Sequence, residues 1–512
     1  MALSSTVAFV LFGVIVESVY AHGFGERYAL PLPISWFIAG GAVTVVLSFL
    51  MIGFFTREDS RTSTYPRFNL LTSPLARISF VYKFDVLLRI ASVLIFLLII
   101  LTGLFGNQRP VDNLAPTLVW VIWWVGFSFV ISLIGNIWSF LNPWKIVFAW
   151  WESLYESFAN ADKYKAPFRY PVKLGMWPAV ALFLGFAWME SAFVDSVVPR
   201  ILANFVIVYS LITWSGMVLF GKHEWLRYGE VFSIIFGLMS KFSMTEVRVL
   251  DFEVCRDICT DDCRIENGDC VDCYECFDHS ENREFNLRPP VVGITSSAGI
   301  TPSGFAMVML LLAMVSFDGF SATPEWVAVQ TFFIFKFPTL TYQFFNGGLI
   351  ANTIGLVIAP VLFGVVFVLC LKLICYSVGA KHLNVSVLMG AFSFSLLPIA
   401  IVYNYAHFTS LLVVQGQQVI PLISDPFGIG WDLFGTATYQ VNFGIISPLY
   451  LWIFVISVIV IGHIAAVYLA HLKALQLYRK SDIALKSQIP MLVLMVLYTM
   501  VSLWIVSRPI IE

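Results

Sequence analysis

LIANTIGLVIAPVLFGVVFVLCLKLIC, residues 349–375, holds a single charged side chain, Lys372. At 1.5 Å per residue a helix of this length is about 40 Å long. That exceeds the roughly 30 Å of hydrocarbon in a bilayer. Apolar runs of similar length recur along the chain, and no strand-and-turn pattern competes with them. Helices are expected at roughly 35–55, 86–106, 116–140, 176–193, 201–220, 303–318, 349–375, 384–413, 447–471 and 490–507. The bulk numbers agree: 59% of residues are hydrophobic, 12% are charged, and mean hydropathy is +0.84. Soluble domains carry about twice that share of charge. The sequence therefore predicts an all-α, polytopic transmembrane helix bundle with lipid as its main partner. A formal net charge of −2 and the lack of a basic helix give no footing for nucleic acid.

The first residues, MALSSTVAFVLFGVIVESVYAHGFG, have a short apolar core followed by Val19-Tyr20-Ala21. Small residues at the −3 and −1 positions suit a signal peptidase, although a basic leader is missing. We read 1–21 as a signal peptide, with an uncleaved first helix as the alternative. Cleavage would leave His22 at the mature N-terminus, where its amine and imidazole could chelate copper. With that terminus outside, the loops on the cytoplasmic side collect twenty-three Lys and Arg and the external ones five. The positive-inside rule thus places both termini outside a plasma membrane. It divides the chain into a first transmembrane half (22–220), a cytoplasmic loop (221–302) and a second half (303–512). FAWWESLYESFAN and GEVFSIIFGLMSKF read as amphipathic pieces lying flat at the interface. Asn142-Pro143 in LIGNIWSFLNPWK should end the third helix or start an interfacial one.

The loop holds the stretch CRDICTDDCRIENGDCVDCYECFDH, residues 255–279. Thiols on the cytoplasmic side stay reduced, which favours metal over disulfides. Cys270, Cys273, Cys276 and His279 follow a C-x2-C-x2-C-x2-H spacing. Cys255, Cys259 and Cys263 stand four apart, as on one face of a helix. The sequence predicts a small cysteine-rich lobe with structural zinc held by S and N ligands. An iron–sulfur cluster is the alternative, and three disulfides would follow if the loop were external. Such a lobe could also dock a protein partner.

Ionisable groups at membrane depth are costly and usually mark a site. Glu190, Asp318 and His407 all fall near the external ends of their helices, with Asp425 and Asp432 in an aromatic loop beyond. Together they form a candidate pocket for a small ligand. His407 and His463 lie at different depths on neighbouring helices, which argues against a shared haem. His471 reads as an interfacial residue beside Lys473. No P-loop, G-x-S-x-G, H-E-x-x-H or dinucleotide fingerprint occurs.

AHGFGERYALPLP, SLIGNIWSFLNPWK, FDGFSATPEW, QGQQVIPLISDPFGIGWDLFGT and GHIAAVYLAHLKAL, in this order, resemble a family of polytopic bacterial and archaeal membrane proteins commonly labelled fenitrothion hydrolase. The resemblance runs from about residue 22 to 507. It implies hydrolysis of an organophosphorus triester and brings no established catalytic residues.

Three functions follow. A transporter or permease is suggested by ten spans, the acidic/His pocket, and Pro360 and Pro398 within spans. A hydrolase would use the Asp/His cluster to hold a metal that activates water, and would fail without His407 or Asp425. A metal- or redox-associated accessory protein would act through residues 255–279.

Overall fold

The computed structural model describes residues 34–55, 65–72, 80–159, 164–251, 253, 255, 270–295, 300–339, 347–379, 384–478 and 481–508. Residues 1–21, read above as a signal peptide, His22, Cys259 and Cys263 lie outside them. Among the described residues, ten helices are long and apolar enough to cross a membrane, so the expected all-α polytopic bundle is borne out. The spans are α1 (Ile34–Phe55), α2 (Phe80–Phe105), α3 (Leu114–Leu133), α5 (Trp177–Ser191), α6 (Pro199–Phe220), α10 (Pro302–Ser321), α12 (Gly347–Val378), α13 (Val385–Ser424), α14 (Pro448–Leu477) and α15 (Ser481–Ser507).

Helix α10 is the hub. An unbroken run from Met307 to Gly319 is buried, because α5, α12, α13 and α15 pack around it. Most other spans show the one-sided burial of helices that also face lipid; α12 exposes Val357, Val361, Leu362, Val365 and Leu369. Helix α1 packs on α14 and α15, and the shorter α11 (Pro324–Lys336) packs on α12.

Two spans depart from regular helix. In α3, residues Thr117–Phe127 are π-helical, a wider winding that recurs at functional sites. It presents Trp120 and Trp123 to the space between α3, α5 and α6. Helix α13 passes through 3₁₀ turns at Ser393–Leu396 and Gln415–Gln418. Helix α3 stops at Leu133, earlier than the sequence suggests, because residues 134–137 turn to meet a small sheet. Gly135 has φ +151°, and a Cβ there would collide with the Thr245 hydroxyl; that hydroxyl donates to the Ile134 carbonyl. Helix α4 (Pro143–Ala159) follows. Asn142 caps it by accepting from Lys145 N at 3.1 Å, and Pro143 fits its first turn. Its Trp144, Ile146 and Phe148 are buried, while Trp150, Leu154 and Phe158 face outward.

The segment GEVFSIIFGLMSKF does not lie at the interface. Helix α7 (Lys222–Tyr228) turns back from α6, and α8 (Val231–Ser240) then runs through the bundle with six apolar side chains buried. Apolar residues on every side of a short helix demand burial all round. Phe232 reaches Trp123, with ring centroids 4.5 Å apart. His471 is likewise buried, not interfacial, with Nδ1 3.0 Å from Gln488 Oε1.

An element absent from the sequence reading is a four-stranded antiparallel sheet of order β1-β4-β2-β3. It comprises β1 (Phe68–Asn69), β2 (Thr245–Val249), β3 (Cys270–Val271) and β4 (Arg283–Leu287). Beneath it Glu246 is wholly buried. Tyr65 donates to it at 2.5 Å, Arg67 at 2.6 Å and Arg288 at 3.2 Å. Burial, reinforced by the Glu246 carboxylate, pushes the Tyr65 hydroxyl up to about 12. Arg288 also donates to Asp272 at 2.9 Å. The first loop of the chain is thereby tied to the cysteine lobe by a buried charge network, in which each ion is paired as burial requires.

Candidate functional site

The polar centre is assembled by α3, α5, α10 and α13. On the last turns of α10, Asp318 is 5% exposed. Its Oδ2 lies 2.8 Å from His407 Nε2 on α13. Tyr403, one turn before His407, stacks on the imidazole at 6.4 Å. Gly319 makes room, since a Cβ there would lie 3.1 Å from the Tyr403 hydroxyl and 3.5 Å from the ring of His407. Glu190, at the end of α5, lies within electrostatic range of Asp318. Its Oε1 accepts from Trp124 Nε1 at 2.7 Å. Its Oε2 is buried and meets no hydrogen-bond donor among the described residues. Further along α3, Ser128 donates to Asn404 at 3.3 Å.

Three of the residues singled out in the sequence, Glu190, Asp318 and His407, are therefore brought together. Asp425 and Asp432 are not part of this group. Asp425 accepts from Ile429 N at 3.0 Å and Gly430 N at 2.7 Å, and Asp432 from Ala437 N at 3.0 Å. Both shape the loop that follows α13. His463 is buried on α14 with Nδ1 2.8 Å from the Ile459 carbonyl. Gly462 packs against Val402, which sets His463 more than a turn along α13 from His407. A carboxyl–imidazole pair beside a second, half-satisfied carboxyl can hold and pass a proton in a medium where free charge is costly.

Like Glu246, another buried carboxylate escaped the sequence reading. Glu230 is fully buried between α6, α8 and the turn before α4. Tyr209 donates to it at 2.6 Å and Asn142 at 3.1 Å. Phe232 N and Ser233 N donate at 3.0 and 2.7 Å, which makes Glu230 the N-cap of α8. The available signal was an acidic residue directly before an apolar helix, where a carboxylate suits the helix dipole.

In the lobe, Cys255, Cys270 and Cys276 place their sulfurs within 4.8 Å of one another, all buried. Cys273 Sγ lies 3.1 Å from Cys276 Sγ. Four thiolates about zinc at about 2.3 Å have tetrahedral edges of about 3.8 Å. Cys255, Cys270 and Cys276 could therefore hold a metal ion, with Cys273 beside Cys276 as a further thiol. His279, on α9 (Tyr274–His279), stands outside the thiol group; its Nδ1 lies 2.9 Å from the Glu275 carbonyl. The lobe docks on the bundle through Lys145, 3.3 Å from Glu275, and through Tyr274, whose hydroxyl accepts from Asn136 N at 3.2 Å. Burial works against the Glu275 charge, but Lys145, His223 and Lys222 outweigh it and hold this carboxyl below the ordinary range.

No family model matches this chain, and no curated protein or solved structure matches it either. The sites stand on their own chemistry.

Proposed function

We propose that the protein carries a small ligand across the membrane with proton exchange at Asp318, His407 and Glu190. One observation carries this reading: a 2.8 Å Asp318–His407 pair inside the spans, beside a carboxyl whose buried Oε2 has no partner among the described residues. Secondary transporters commonly couple ligand movement to such groups at interrupted helices, and α13 is interrupted on both sides of His407. The distribution of Lys and Arg supports an orientation with the sheet inside the cell. Zinc on the four described cysteines is the metal we propose for the lobe, in a structural role, since four protein ligands leave no open position.

Infrared difference spectroscopy on nanodisc-embedded protein tests the centre. A pH jump should reveal a carboxyl band that disappears in Glu190→Gln and shifts in His407→Gln. A wild-type spectrum without that band would end the proposal. The resemblance to fenitrothion hydrolases supports a second reading, in which the same Asp318–His407 pair activates water. Turnover of a nitrophenyl phosphotriester that His407→Ala and a chelator both abolish would favour hydrolysis over transport.

A further inference from the structure

The first turn of α11 joins the chain neighbours of both acids in the polar centre. Only Ala322 and Thr323 separate it from α10. Trp326 Nε1 donates to Asn352 Oδ1 of α12 at 2.7 Å, and Asn352 Nδ2 donates to the carbonyl of Ser191, the residue after Glu190, at 3.1 Å. On the other side, Glu325 Oε1 lies 2.6 Å from Arg508 Nη2 at the end of α15. Between these ties sits an aromatic layer. Phe320, two residues past Asp318, packs against Trp326 and Trp504 with ring centroids 5.6 and 6.3 Å apart. The Arg508 guanidinium lies over the Trp504 ring, 4.6 Å from its centroid. Next to that layer Ile505 closes on the acid–imidazole pair: a Cβ added at Gly319 would lie 3.1 Å from Ile505 and 3.5 Å from the ring of His407.

This cover is held weakly. None of the thirteen residues of α11 is buried, and Phe332 and Phe335 are more than half exposed. Elements with few buried apolar contacts are the ones that open locally. The ion pair is no stronger an anchor. Both side chains are 38% exposed, and Glu325 Oε2 and Arg508 Nε have no hydrogen-bond partner among the described residues. Pairs as open to solvent as this add little to stability, so parting one is easy. What lies beneath is shut in: the side chains of Asp318 and His407 are 7% and 10% exposed. A ligand reaches them only when a covering element moves.

We propose that α11 is a lid over the Asp318–His407–Glu190 centre, latched by the Glu325–Arg508 ion pair. With the pair made, Phe320, Trp326 and Trp504 stay packed and the centre is closed. With it parted, α11 turns about Ala322 and Thr323, and the aromatic layer opens, as hinged covers do in other proteins. What passes under the lid rests on the transport reading, and the orientation proposed above makes this the external side.

Diethyl pyrocarbonate acylates accessible imidazoles, so its reaction with His407 reads access to the centre. The full chain in nanodiscs is treated with the reagent, and the rate at each histidine is followed by mass spectrometry. His223 and His279, exposed on the other side of the sequence's polar lobe contacts, set the reagent scale. The buried His463 and His471 report on folding. Glu325→Gln and Arg508→Gln should each raise the His407 rate about threefold, the scale of an exposed ion pair. The two substitutions together should add nothing beyond either alone, and Glu325→Arg with Arg508→Glu should return the wild-type rate. His407 labelling that is equal in wild type and variants, or absent from all of them, would overturn the lid. So would a rise matched at His463 and His471, which would mean that the whole bundle had loosened. The infrared carboxyl band keeps this result apart from the transport reading. A band present with latch-independent labelling removes the lid alone; latch-dependent labelling without the band keeps the lid and ends the proton centre.

Discussion

Glu190, half-buried, and Glu230, wholly buried, are both glutamates of the helix bundle, yet their surroundings differ. Four donors from three parts of the chain surround Glu230, and two of them are the first amides of α8. Among the described residues, Glu190 has one donor, Trp124, and one oxygen without a partner. A carboxylate satisfied on all sides fixes structure, because removing it strands every group that pointed at it. A half-satisfied carboxyl beside another acid and an imidazole is free to change its proton. The pair separates a residue that builds the bundle from one that can work in it.

The comparison breaks most readily at Glu230. Replacing it by Ala should cost about 3–5 kcal/mol, since an N-cap and two side-chain donors lose their acceptor together. Denaturant unfolding in detergent would measure the loss, and a stability equal to wild type would reverse the assignment. Tyr209→Phe takes away one charge-assisted bond and should cost about 1.5–3 kcal/mol in the same assay. Glu190→Gln keeps the shape and the Trp124 contact. Its stability should stay within about 1 kcal/mol of wild type while its infrared carboxyl signal vanishes; a large destabilisation would make Glu190 another structural acid.

Metal content bears on the lobe in the same way. Cys270→Ser should lower bound zinc well below one per chain and loosen hydrogen-exchange protection around Val247 and Phe285, the paired strands beside it. Protection unchanged by the substitution or by a chelator would mean that the sheet holds without metal.

The smallest effect concerns Glu275, a third carboxylate, at the edge of the lobe. Its folded pKa is held below the ordinary value, so its contribution is present above the unfolded pKa near 4.3. It is lost as pH falls through the lower folded value. Hydrogen exchange of residues 270–279 should therefore rise on acidification below about pH 4. Lys145→Met should move that onset to higher pH, because the main attractive charge is gone. Identical profiles for the two proteins would remove Lys145 from the docking.

Much of the architecture was legible from spacing alone. Runs such as 349–375 must be helical in lipid, whatever surrounds them, because the backbone has no other partner there. Asp318, His407 and Glu190 were equally visible, since any ionisable group in such a run stands out. The cluster of thiols could be read from residues 270–276. What sequence did not show is which groups meet. Asp425 and Asp432 carry the same chemistry as Asp318, but their oxygens are taken by amides a few residues away. The helix after Glu230 looked interfacial, because its length fits either fate; the neighbouring spans decide that it is buried. Strands of two to five residues give no periodic signal, so the sheet linking residues 65–72 to 245–287 was invisible.

The sequence by itself determined a multi-pass helical membrane protein and a short roster of costly polar groups, because transfer out of water acts on each residue one at a time. Only the tertiary structure decided which acid is a cap, which is paired with histidine, and where aromatic side chains leave a cavity. Those outcomes depend on distances between segments far apart in the chain, which no local pattern encodes.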